Sequence, residues 1–112
     1  MPKSVPRTYS LYTEEALTLL AGLIRTARLE RKMTTQEVAE RSGISRSMLQ
    51  RIEKADRKCE IGAVLEVATI VGVKLFDPES SSLSTHIKHT QEKLSLLPKK
   101  ARKAIKVADD DF

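Results

Sequence analysis

Between positions 46 and 51 the chain carries two guanidinium groups, a hydroxyl and a carboxamide: Arg46, Ser47, Gln50 and Arg51. All four are directional hydrogen-bonding groups. An arginine fork matches the O6 and N7 acceptors of guanine, a glutamine amide matches the N6 and N7 of adenine, and a serine hydroxyl can serve either. On a helix, Arg46 and Ser47 come first and Gln50 and Arg51 follow one turn later on the same side. The chemistry this set suits is readout of base-pair edges, with Arg46, Ser47 and Arg51 as the main readers and Gln50 beside them. In an arbitrary helix the same residues would be a solvated face, so the surrounding elements must decide.

Other constellations are weaker. His86 and His89 stand three apart, but no cysteine or carboxylate completes a metal set at ligand spacing. Asp109, Asp110 and Asp111 read as a solvated acidic tail. Cys59 is the only cysteine, which excludes a disulfide framework or a cysteine-based zinc site within one chain. There is no glycine-rich phosphate loop, and no Ser/His/Asp set has supporting context. A binding protein is therefore expected, not an enzyme, with no catalytic residues, no metal and no cofactor.

Two short helices joined by a sharp turn must position the reading group. Thr35 is expected to cap a helix over about 36–42, Ser42-Gly43-Ile44 to make the turn, and Ser45 to cap a helix of about ten residues ending near Lys54. Ala39 keeps the contact between them small, and Gly43 sits where φ must be positive. Val38, Ile44, Leu49 and Ile52 fall at spacings that bury between these helices and their neighbours. Six local requirements thus agree on one arrangement.

Around this pair, residues 1–12 read as an arm, with Pro2, Pro6, Lys3 and Arg7. Thr13 is expected to cap a helix over about 14–32, with Leu17, Leu20, Leu23, Ile24, Ala27 and Leu29 as its apolar positions. Ala55 to Cys59 form a polar connector. A further helix carries Ile61, Val64, Leu65, Ala68 and Val71 on one stripe and stops at Gly72. Val73, Leu75 and Phe76 close the bundle or form a short fifth turn, and Asp77-Pro78 ends the domain. The remainder, 79–112, divides into a serine-rich linker, a weak amphipathic segment with Leu83, Ile87, Leu94 and Leu97, and a charged tail after Pro98 expected to be mobile.

Composition is consistent with this reading. Of 112 residues, 40% are apolar and only 4% aromatic, without tryptophan, which suits a small helical bundle. The net charge of +5 suits a polyanionic partner without separating nucleic acid from an acidic protein or a membrane surface. No apolar run reaches the roughly 18 residues of a membrane span, and the N-terminus lacks the apolar stretch of a secretory signal. The cytoplasm is the expected compartment.

The segment from about Ile24 to Phe76 resembles the phage-repressor and Cro type of helix-turn-helix, the XRE family. The hallmarks present are Gln36, Ala39, Gly43, Ser45 and the Ile52-Glu53 pair. The glycine usual after that glutamate is replaced by Lys54-Ala55-Asp56. The resemblance implies an all-α, lambda-repressor-like domain over 13–78, with four long helices and one short, followed by a C-terminal extension. It assigns Gln36 to a backbone phosphate, and Ser45 and Lys54 join it as phosphate contacts. Glu53, acidic on a helix that would face phosphates, is expected to pair inward with Arg28 or Arg31.

One such motif touches only about four or five base pairs, so a homodimer on a palindromic double-stranded operator is expected. Its seam would use the end of the fourth helix with Leu75 and Phe76, or the Leu83–Leu97 segment. The region also resembles the HipB-type antitoxins, which hold a HipA-type serine/threonine kinase toxin inactive and repress their shared promoter. A short chain with a charged tail and no effector-sized domain fits that reading, with residues 98–112 facing the kinase. The alternatives are a free-standing regulator without a toxin partner, and a tail whose Lys99, Lys100, Arg102, Lys103 and Lys106 follow DNA phosphates.

Overall fold

The computed structural model describes residues 8–76, 82–101 and 103. Among them are five helices and no strand: α1 (Leu11–Glu30), α2 (Thr35–Ser42), α3 (Arg46–Glu53), α4 (Ile61–Val71) and α5 (Leu83–Ser95). The chain separates into two compact units, Met1–Leu75 and Phe76–Phe112. The fifth helix is the segment expected to be amphipathic, while Val73 to Phe76 form no helix. The Pro2-Pro6 stretch, Asp77-Pro78, residues 79–81, Arg102 and the tail from 104 onward lie outside the described residues.

Helix starts follow capping chemistry. Ser10, not Thr13, caps α1, accepting from the Thr13 backbone N–H at 3.2 Å, so Leu11 and Tyr12 belong to the first turn instead of the arm. Thr34, not Thr35, caps α2 through a reciprocal box. Its hydroxyl accepts from the Glu37 N–H at 3.0 Å, while the Glu37 carboxylate accepts from the Thr34 N–H at 3.4 Å. Only Thr34 has a glutamate three residues on, which decides between the adjacent threonines. Ser45 caps α3 as expected, accepting from the Met48 N–H at 3.0 Å.

Helices of eight residues are marginal alone, so α2 and α3 depend on packing. In the first unit α2 packs on α3 and α4, and α1 packs on α3 and α4. Ile24, Val38, Leu49, Val67 and Val71 are wholly buried at the centre, with Ala39 and Ile52 beside them. Two expected apolar stripes shift. On α1, Leu23 and Leu29 lie exposed while Ala21 and Arg28 are buried. On α4, Ile61 is 76% exposed and Val67 takes an inward place. Alternation cannot select a face on α4 because IGAVLEVATIV is apolar nearly all round.

The four helices of this unit end alike. After each, a residue with positive φ is followed by a backbone N–H that reaches back five residues: Met33 to the Arg28 carbonyl, Ile44 to Ala39, Asp56 to Arg51 and Val73 to Ala68. Gly43 (φ 72°) and Gly72 (φ 89°) take this conformation without steric cost, as expected. Lys32 (φ 57°) and Ala55 (φ 61°) take it with a Cβ. Ala55 stands in the turn where glycine is the familiar choice, and the turn is kept at some expense in strain. Ala55→Gly should therefore raise stability by about 0.5–1 kcal/mol in urea unfolding. A loss of stability would show that Ala55 carries no strain.

Candidate nucleic-acid interface

The orientation of α3 follows from what its sides contact. Leu49 and Ile52 are buried, Met48 is half-buried, and the Glu53 side chain is 8% exposed. Arg46, Ser47, Gln50 and Arg51 are all exposed, with Ser45 and Lys54 flanking them. At 3.6 residues per turn these four side chains occupy an arc of about 140°. The four expected base contacts thus lie together on the solvent side of one helix.

Glu53 holds that arc outward. Arg28 of α1 donates Nε–H to its Oε2 at 2.6 Å and Nη2–H to its Oε1 at 3.0 Å. Of the two expected partners, Arg28 is the one found. A third donor, Nη1, reaches the Met33 carbonyl at 3.1 Å, so one buried guanidinium joins α1, the α1–α2 joint and the end of α3. The hydrogen bonds that Arg28 donates to Glu53 push its pKa up, outweighing burial, which pushes it down. The only acid on α3 is thereby turned away from the polar arc.

The outward side chains are not equivalent. Arg46 makes no hydrogen bond or ion pair among the described residues. Arg51 donates Nε–H to Oδ2 of Asp56 at 2.8 Å. The other Asp56 oxygen accepts from the Lys58 backbone N–H at 2.8 Å. The Arg51 bond and the Lys58 amide hold the Asp56 carboxyl below its ordinary range. This contact persists above the ordinary carboxylate pKa and is lost as pH falls through the lowered one. Sequence reasoning placed Asp56 in a polar connector. The pairing depends on the Ala55 backbone, which brings position 56 back toward α3.

Gln36 is exposed in the first turn of α2, where backbone N–H groups lack intrahelical partners and favour an anion. Its amide donates to the Glu40 carboxylate at 3.0 Å, which leaves a second N–H for a phosphate. Ser45 uses its oxygen as the cap acceptor and keeps its O–H to donate. In the α3–α4 connector, Arg57 pairs with Glu14 at 3.3 Å and lies 5.4 Å from the centre of the Tyr9 ring. Cys59 is half-buried against the core, and burial pushes its thiol pKa up, away from reactivity. Among the described residues no group of three or more His, Cys, Asp or Glu could hold a metal ion. Among the same residues no helix is long and apolar enough to cross a membrane.

A family model described as a helix-turn-helix domain matches residues 19–77, just over half of the chain. No curated protein and no solved structure matches it. The matched span contains α1 from its middle onward, all of α2, α3 and α4, and every expected contact residue.

Arg46→Ala separates base reading from charge. If Arg46 reads a base, the variant should lose about 1–3 kcal/mol on a selected duplex while random-sequence affinity falls little. Equal losses on both duplexes in equilibrium titrations would make Arg46 a phosphate contact.

Proposed function

We propose, from the premise that this chain belongs to the XRE-like group of helix-turn-helix proteins, that it is a sequence-specific transcriptional repressor and the antitoxin of a HipBA-like operon. In this reading it binds a palindromic operator as a homodimer and neutralises a serine/threonine kinase toxin. A DNA-binding regulatory role goes with the family. The observation that carries sequence-specific repression is the outward arc of Arg46, Ser47, Gln50 and Arg51 on a helix fixed from behind by Arg28 and Glu53. Ser45 and Lys54 flank the arc and, with Gln36 on α2, serve the backbone phosphates. The protein acts by binding, without cofactor or catalysis, in the cytoplasm.

Dimerisation follows from the small footprint of one motif. The second unit supports a protein-binding role as well. Ser82 caps α5, accepting from the Thr85 N–H at 3.3 Å, and none of the helix's residues is buried. Leu83, Ile87, Leu94 and Leu97 are each more than half exposed. Within α5, Leu83, Ile87, Thr90 and Leu94 stand at steps of four, three and four, the spacing of a helix that packs along another helix, and Leu97 follows just past its end. The same spacing favours a second reading, in which the stripe is a dimer seam and the protein regulates transcription without a toxin.

Full-length protein and a form lacking residues 98–112 distinguish these readings. On DNA upstream of its own gene, each should protect two half-sites about one helical turn apart. Full-length protein should also inhibit a HipA-like kinase encoded in the adjacent frame, and the shortened form should bind that kinase more weakly. Unchanged kinase binding would remove the tail from the partner surface. No inhibition by the full chain would leave the free-standing regulator.

A further inference from the structure

An acidic side chain beside a DNA-reading arginine carries an electrostatic penalty. Asp56 repels phosphates and neutralises part of the charge that Arg51 would bring to them. Its side chain is 33% exposed and that of Arg51 is 44% exposed, so the pair adds little to stability. The contact is also one-sided. Arg28 grips both oxygens of Glu53, whereas Arg51 meets Asp56 through Nε–H. A guanidinium held at Nε keeps its two terminal amino groups as a fork. Asp56 is itself fixed, because Oδ1 accepts from the Lys58 N–H and the Asp56 N–H bonds the Arg51 carbonyl at 3.0 Å. Backbone and side chain of Asp56 therefore both close onto Arg51.

We infer that Asp56 is a positioning residue for Arg51, holding Nε so that the terminal amino groups are presented to the O6 and N7 acceptors of one guanine. The inference rests on α3 being the reading helix. Asp56 orients a directional donor pair and offsets the charge that would bind any phosphate, exchanging general affinity for selectivity. The turn that makes this possible is the strained one at Ala55, which places Asp56 five residues after Arg51 and back against it.

Asp56→Asn tests this, because asparagine keeps an oxygen for the Lys58 N–H but loses the carboxylate that holds Arg51. Wild type, Asp56→Asn, Arg51→Ala and the double variant would be titrated with a duplex selected from a random pool and with a random duplex of equal length. Asp56→Asn should lower the selected-to-random affinity ratio about tenfold, with the loss at a single G·C pair. Random-duplex binding should be equal or tighter. With Arg51→Ala already present, the second change should alter the ratio by less than about twofold. An unchanged ratio in Asp56→Asn, or an equal loss without Arg51, would overturn the positioning role. If wild type selects no site from the pool, the reading of α3 fails and the proposal with it.

Discussion

The two-pronged contact between Arg28 and Glu53 determines which side of α3 faces solvent. Leu49 and Ile52 would draw an eight-residue helix onto the core at several rotations, because apolar burial is not directional. Two parallel N–H···O bonds allow a much narrower range. The pair is enclosed, so losing either partner would leave a buried charge and cost about 3–5 kcal/mol. A third bond, to the Met33 carbonyl, extends the constraint to the joint before α2. The outward placement of Arg46, Ser47, Gln50 and Arg51 follows from this pair together with the Leu49–Ile52 contact.

The acids around the candidate interface divide the work. Glu53 is inside, and its charge is spent on Arg28. Glu37 closes the α2 capping box and lies 3.6 Å from Arg41. Glu40 accepts from Gln36, and Asp56 from Arg51. Arg46 has no acidic partner among the described residues and is the most direct donor to a polyanion. A single face thus combines an unengaged arginine with one already held in place.

Much of the first unit was legible because its signals are local. Gly43 marks a positive φ, Ser45 caps α3, and Val38, Leu49 and Ile52 fall at burial spacings. The Thr34 cap was legible too, since Glu37 follows at the box spacing, but the neighbouring Thr35 obscured it. The inward face of α4 was not, because apolar residues on nearly every side leave periodicity nothing to choose between. Arg28 shows the opposite problem. The acid on α3 pointed to an inward arginine, Arg28 or Arg31, but the choice of Arg28 and its burial in the α1 stripe were settled only by the partner 25 residues away. The Asp56–Arg51 contact depends on the backbone at Ala55, and an alanine does not advertise positive φ.

Amide chemical-shift mapping of isotopically labelled full-length protein, titrated with a duplex selected from a random pool, addresses the interface most directly. The largest changes should fall on Thr34 to Gln36 and on Ser45 to Lys54, with the inner residues of α4 little affected. Large changes along α4 or α5, with Arg46 to Arg51 unmoved, would contradict the assignment of α3 as the helix that meets DNA.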